Sequence, residues 1–190
     1  MGDMILVYSG VYYENVVVDK SVTLRGIGHP VVDAKWSGNA VTLTADGITL
    51  EGFDITNAEG SRIGAGIKIT SNNNNITGNN VCNNNDHGIN LGTFSEDNLI
   101  YLNNFIDNMD NVYDNSLWTT IWNSKEEITY TYNGNMYISY LGNYWADYDE
   151  KYPYAEEIDT TGIWDTPYSI YKEYNKDFYP LMEPRERYLP

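Results

Sequence analysis

Short runs in which apolar and polar residues alternate recur along the chain at a nearly fixed interval. Leu24-Arg25-Gly26, Leu50-Glu51-Gly52 and Ile76-Thr77-Gly78 each set an apolar residue, a polar residue and a glycine in order, and the glycines lie 26 residues apart both times. A fourth copy, Ile100-Tyr101-Leu102, follows 24 residues on without its glycine. The third and fourth copies share a tail, Asn79-Asn80-Val81 and Asn103-Asn104-Phe105. A second phrase repeats in step: Val41-Thr42-Leu43-Thr44, Ile67-Lys68-Ile69-Thr70, Ile89-Asn90-Leu91 and, more weakly, Val112-Tyr113. Two phrases recurring in register define a repeat architecture.

Each phrase is too short for a helix and carries the two-residue period of a strand. A repeat of 22 to 26 residues holding two or three such strands predicts one coil of a right-handed parallel β-helix. Equivalent apolar residues of successive coils then stack inside a tube, burying jointly a core that no single repeat could bury. Leu24, Leu50, Ile76 and Ile100 are the expected members of one stack, and Ile55, Val81 and Phe105 of another. The glycines fall where the chain turns between strands. A propeller would need four antiparallel strands in each repeat of about 40 to 50 residues.

The strand pattern begins almost at the first residue. Ile5-Leu6-Val7 and Val16-Val17-Val18 flank Ser9-Gly10, and Val16 to Val18 lies one coil ahead of Val41 to Leu43. An open coil exposes unpaired backbone and apolar side chains, yet no helical pattern precedes Ile5 to cover it. The expectation is a fragment of a longer protein, or a chain that covers its first coil by self-association or by docking an upstream domain. Residues 71–85 contain nine asparagines. Their coil spacing predicts hydrogen-bonded ladders, with Asn79 paired to Asn103 and Asn84 to Asn108.

Near residue 115 the character changes. Fifteen of 18 tyrosines lie at or after Tyr101, and four of five tryptophans (Trp118, Trp122, Trp145 and Trp164) after residue 115. Ile128 to Tyr132, the turn Asn133-Gly134-Asn135 and Met136 to Tyr140 read as a β-hairpin. The predicted fold is therefore all-β, a parallel β-helix of about four to five coils over residues 1–115. An aromatic and acidic cap over 116–190 packs on the last coil as part of one continuous domain.

Charge narrows the partners. With 27 Asp and Glu against 11 Lys and Arg, the net charge is −16, a surface that repels phosphate backbones and argues against nucleic acid. Met1-Gly2-Asp3-Met4 has no basic region or long apolar run, so the sequence as given shows neither a signal peptide nor a membrane-inserting helix. The single cysteine, Cys82, excludes an internal disulfide and reads as a small buried apolar residue.

Three phrases late in the chain carry a resemblance. Gly142-Asn143-Tyr144-Trp145-Ala146-Asp147-Tyr148, Ile163-Trp164-Asp165-Thr166-Pro167-Tyr168 and Asn175-Lys176-Asp177-Phe178-Tyr179-Pro180-Leu181 resemble the C-terminal signature of NosD-like parallel β-helix proteins. These are grouped with carbohydrate-binding and sugar-hydrolase (CASH) β-helix domains. Ile5 to Ala34 also resembles such proteins, which are frequent on archaeal, especially methanogen, cell surfaces and in surface layers. The resemblance implies the β-helix fold, the cap and an extracellular or cell-surface location. The grouping mixes binding modules, enzymes and accessory factors, so the chemistry stays open. The accessory role in nitrous-oxide reductase names one branch, and the only two histidines, His29 and His87, lie far apart in the sequence.

Candidate chemistry falls in three places. Glu157, Asp159, Thr161 and Asp165 occupy positions that resemble the family's acidic loop, where alternating oxygens would converge on calcium. A hydrogen-bonded turn is the alternative, and no cofactor is otherwise required. Asp86, Asp107, Asp110 and Asp114, one coil or less apart, are the carboxylates that glycoside chemistry would pair, and Asp86-His87 faintly echoes lyase and epimerase pairs. Trp118, Trp122, Tyr130 and Tyr132 are candidates for an exposed surface that stacks on a polysaccharide or cell-surface glycan. Trp145, Trp164 and Phe178 are expected to cover the last coil. The leading function is a non-catalytic extracellular β-helix module, structural or carbohydrate-binding. A polysaccharide-active enzyme and an assembly domain docking through its open first coil are the alternatives.

Overall fold

The computed structural model describes residues 2–59, 64–170 and 175–188. Fifteen strands wind in five successive triplets. They are β1 (Asp3–Tyr8), β2 (Val11–Tyr12) and β3 (Val16–Val18); β4 (Val22–Ile27), β5 (Val31–Asp33) and β6 (Val41–Leu43); β7 (Thr49–Glu51), β8 (Asp54–Thr56) and β9 (Ala65–Ile69); β10 (Asn75–Thr77), β11 (Asn80–Cys82) and β12 (His87–Leu91); and β13 (Leu99–Tyr101), β14 (Asn104–Ile106) and β15 (Asp110–Asp114). The first members of the triplets form sheet A, the second sheet B and the third sheet C, each in parallel pairing. The protein is thus a parallel β-helix.

The register follows the repeat. Leu24 pairs with Leu50, Leu50 with Ile76 and Ile76 with Ile100 along sheet A. In sheet B the column runs Val32, Ile55, Val81, Phe105 and on to Trp145. In sheet C, Val16, Val41, Ile67, Ile89 and Val112 stand in line. Gly52 and Gly78 take left-handed φ of +79° and +69° at the corner after sheet A. Leu102, at the position where the repeat loses its glycine, keeps the same left-handed turn at φ +54°. Its side chain is buried in a cluster with Leu141, Ile163, Leu181 and Tyr188. That burial offsets the roughly 1–2 kcal/mol an L-residue pays in this region.

All three corners carry asparagine ladders. Asn79 Oδ1 accepts the Phe53 amide, Asn103 Oδ1 the Asn79 amide, and Asn143 Oδ1 the Asn103 amide. Asn84 and Asn108 repeat this at the corner between sheets B and C, serving the amides of Ala58 and Asn84. A third ladder, which the sequence reading did not name, runs from Ile48 through Asn74 to Asn98.

After β15 come the hairpin β16 (Ile128–Tyr132) and β17 (Asn135–Ser139), then β18 (Tyr144–Trp145), one helical turn α1 (Tyr148–Lys151), and the pair β19 (Tyr168–Ser169) and β20 (Lys176–Asp177). The hairpin turn is Asn133-Gly134, both with positive φ, so it is two residues long and Asn135 already pairs with Tyr132. β18 extends sheet B by one strand. A 3-10 turn, Arg185–Arg187, follows, and the Arg185 amide donates to Asn104 Oδ1 at 2.9 Å.

Candidate functional site

The two ends of the tube differ. At the C-terminal end Phe105, Trp145 and Tyr168 stack in series, with centroids 4.4 and 4.1 Å apart. Trp122 packs against Trp145 at 5.9 Å. Trp145 Nε1 and the Asn143 amide both donate to Asp177 Oδ2, at 3.0 and 2.7 Å. Asp177 is fully buried, and that burial pushes its carboxyl up to about 7. Gly142 is required beside it, because a Cβ there would overlap the Asp177 carboxylate. The late signature is therefore the device that closes the tube.

The N-terminal end is open. Val7, Tyr12 and Val16 of the first coil, Leu24, Val32 and Val41 of the second, and Leu50 and Phe53 of the third line a mainly apolar cavity of about 270 Å³. Among the described residues, the outer edges of β1, β2 and β3 pair with no strand. Leu6 is 46 % exposed, Tyr8 63 % and Val17 62 %, with Met4, Ile5, Val11 and Tyr13 also on the surface.

The aromatic candidates divide. Trp118 is 55 % exposed, on a loop joined to the one that carries exposed Phe94 by the Leu117 amide donating to Thr93 O at 3.1 Å. Trp122, Tyr130 and Tyr132, expected on the surface, are buried. Trp122 Nε1 donates to Asn175 Oδ1 at 2.7 Å. Tyr130 donates to Thr161 O at 2.9 Å, and burial pushes its hydroxyl up to about 12. Tyr132 stacks on Tyr188 at 5.0 Å. The reason is non-local: the C-terminal tail returns across the hairpin and covers the face carrying both tyrosines. Phe178, expected to cover the last coil, is exposed instead, while Trp145 is buried and Trp164 stacks on Tyr148.

Nor do the coil carboxylates form one set. Asp114 is buried, its Oδ1 accepting the Ser116 amide and hydroxyl and its Oδ2 accepting Asn175 Nδ2 at 2.5 Å, so it fixes a turn. Asp86 Oδ2 accepts the Gly64 amide at 3.2 Å. Asp110 pairs with His87, Oδ2 lying 3.8 Å from Nδ1, and the His87 ring packs 5.0 Å from Tyr113. Asp107 instead lines a separate polar cavity of about 210 Å³ with Asn111, Asp147 and Glu150.

The side chains of the acidic loop make local hydrogen bonds. Glu157 Oε1 accepts the Gly162 amide at 2.8 Å, and Asp165 Oδ1 accepts the Glu156 amide and the Thr166 hydroxyl. Thr161 Oγ1 donates to Ile158 O at 2.6 Å. Asp159 stands at the turn with φ +43°. Among the described residues no group of three or more His, Cys, Asp and Glu is placed to hold a metal ion.

Fold and ends together define a class: a parallel β-helix closed at its C-terminal end and open at its N-terminal end. A family model described as "Periplasmic copper-binding protein (NosD)" matches residues 8–150, more than half of the chain, and the chain belongs to that family. No curated protein and no solved structure matches it.

Copper in the family's description can be tested against the donors present. His29 uses both ring nitrogens, Nδ1 lying 3.3 Å from Asp54 Oδ1 and Nε2 3.1 Å from an Arg185 guanidinium nitrogen. A guanidinium at that distance opposes a second cation. His87 is buried in sheet C, whereas Cys82 lies half-buried in sheet B, its thiol pushed up by burial. The imidazole and thiolate donors that copper prefers are not assembled among the described residues. Those residues do not fit a resident copper ion. No helix among them is long and apolar enough to cross a membrane.

Proposed function

We propose that this chain is a non-catalytic β-helix module of an extracytoplasmic protein, and that it docks another polypeptide on its open first coil. The observation that carries the reading is the mainly apolar mouth framed by three strand edges that pair with no strand among the described residues. Each edge offers a ladder of backbone donors and acceptors to an incoming strand, and the lumen offers a pocket for its inward side chains. The closed end supports the same reading, because its buried polar groups are spent on each other: Asp177 on Asn143 and Trp145, and Asp114 on Ser116 and Asn175. The family's description as periplasmic supports the location.

A fluorescein-labelled peptide reproducing residues 3–21, one coil of this chain, is the probe. Fluorescence anisotropy with the full chain is expected to show saturable binding that Leu6→Lys abolishes while the far-ultraviolet spectrum stays unchanged. Absence of binding to the folded protein would overturn the reading. A glycan reading rests on Trp118, since the other three aromatics are enclosed. Its measurement is quenching of Trp118 fluorescence by oligosaccharides, with Trp118→Ala as the control.

A further inference from the structure

The C-terminal turn is fastened to the second coil through one imidazole. His29 lies in the loop between β4 and β5, where Gly28 and His29 take left-handed φ of +74° and +52° in succession. Its ring is held from two sides. Nδ1 lies 3.3 Å from Asp54 Oδ1 on the next coil, and Nε2 lies 3.1 Å from an Arg185 guanidinium nitrogen, 156 positions along the chain. A guanidinium has only N–H groups to offer, so Nε2 must accept. The ring proton therefore sits on Nδ1, donated to Asp54, and His29 is neutral in this arrangement. Burial lowers the Arg185 pKa, yet a guanidinium does not lose its proton inside a protein, so any change of charge at this contact falls to His29.

What depends on this contact is the seat of the turn. Arg185 is 6 % exposed, and its Nε has no partner among the described residues. Its charge is met by His29 and by its own neighbour, Glu186 Oε1 at 3.1 Å, which moves with the turn. The turn covers Asn104, which is buried, accepts the Arg185 amide on Oδ1 and donates to Glu186. Beside it Pro184 and Glu186 form one wall of a groove of about 520 Å³ over sheet B, lined also by Val31, Thr56, Cys82 and Ile106. The chain is pinned on both sides of the turn by the Tyr188 hydroxyl, which donates to Gly162 O and accepts the amides of Met182 and Glu183. The stretch that can shift is therefore short, residues 184–187.

A second ring proton goes on Nε2. It sets two donors and two positive charges against each other across the 3.1 Å contact. The other charges at this corner do not offset the change. Asp54 receives Nδ1–H in either state, and Glu186 is engaged with Arg185 and Asn104. Arg25 and Glu51, which line the same corner with His29 and Arg185, are paired with each other, and Arg187 is paired with Glu183. We propose that His29 is an acid-sensitive latch: when its ring takes up a second proton, the Arg185–Arg187 turn leaves its seat against His29 and Asn104, and the groove over sheet B opens. The His29 side chain is 40 % exposed, so protons reach it from solvent. Histidine is the side chain whose charge ordinarily changes between about pH 5 and 8.

Heteronuclear NMR of the imidazole nitrogens reads the tautomer, with His29→Gln giving the assignment. At about pH 7.5 His29 is expected to carry its proton on Nδ1, and a proton on Nε2 overturns the latch. Native-state exchange of the Arg185 amide reads the turn. Its protection, corrected for intrinsic rates, is expected to fall roughly tenfold or more between about pH 7.5 and about pH 5. His29→Gln, whose side-chain oxygen accepts without titrating, is expected to keep the same protection at both, and His29→Ala to lose it at both. Asp177 cannot produce that fall, because a carboxyl raised to about 7 favours the folded state toward acid. Cys82 reads the groove through its rate of reaction with an uncharged disulfide that stays active in acid. The unaltered chain is expected to react faster than His29→Gln at low pH and equally at neutral pH. Protection unchanged by acid overturns the inference, as does a His29→Gln chain that loses protection in acid like the unaltered one. So does a His29→Ala chain that stays protected, and so do equal Cys82 rates at low pH.

Discussion

Asp177 shows how one residue ends a repeat. Asn143 passes its amide and side-chain N–H groups to Asp177 Oδ2, at 2.7 and 3.4 Å, as each earlier asparagine passes its own to the next coil. With no further coil to serve, an acceptor without donors suffices, and a carboxylate supplies it. Burial raises its pKa from an ordinary 3.8 to about 7. A carboxyl raised in this way holds a proton in the folded state over a range where the unfolded chain has lost it. Stability is then greatest at the acid end and falls as pH rises from about 4 to about 7. The size of the effect is on the order of a few kcal/mol. The expected outcome is a denaturation midpoint that drops across this interval, with most of the drop removed by Asp177→Asn. Equal pH profiles for the two proteins would show that Asp177 is ionised throughout. At the same spot Gly142 is explained by contact with the carboxylate, which no sequence spacing could reveal, because the two residues lie 35 positions apart.

At the scale of elements, the ladders hold the corners of the coils. Asn103 is fully buried, takes the Asn79 amide and side chain on Oδ1, and donates through Nδ2 to Ile76 O and Tyr101 O. Asn103→Ala would leave these groups buried without partners, and the expected loss is about 2–4 kcal/mol by chemical denaturation. Asn85→Ala, on the surface of the same asparagine-rich stretch, should change stability by less than about 0.5 kcal/mol. Similar losses at the two sites would mean that the ladders are incidental. Such elements were legible because their signal is local and periodic: the spacing that pairs Ile76 with Ile100 also pairs Asn79 with Asn103. The Asn74–Asn98 pair had the same spacing, but a run of four asparagines hid which one turned inward. The hairpin was legible as a hairpin, and in it Tyr130 and Tyr132 share one face and Thr129 and Thr131 the other. What alternation could not say is which face would be covered. Tyr188, more than 50 residues later, decides that, and so removes Tyr130 and Tyr132 from the candidate surface. Trp122 is lost to the surface in the same way, through Asn175.

Over the whole molecule the filling of the lumen is uneven. Phe53, Phe105, Trp122 and Trp145 occupy it from the third coil to the cap, whereas Val16, Leu24, Val32 and Val41 line the first two coils around a cavity of about 270 Å³. Because each coil touches only its neighbours, stability in such a tube is a chain of adjacent terms, and an under-filled end is weakest. Filling that end should therefore stabilise the isolated chain. Val16 lies half-buried at the mouth, and Val16→Phe would occupy part of the void, with an expected gain of about 0.5–2 kcal/mol. The same ring would stand where an incoming coil must seat its own inward side chains. The variant is thus expected to melt at a higher temperature and to bind the coil peptide more weakly. Those opposite changes follow only if the void is a docking pocket kept at the expense of stability. A higher melting temperature with unchanged peptide binding would instead assign the attachment to the strand edges alone and leave the cavity without a part in it.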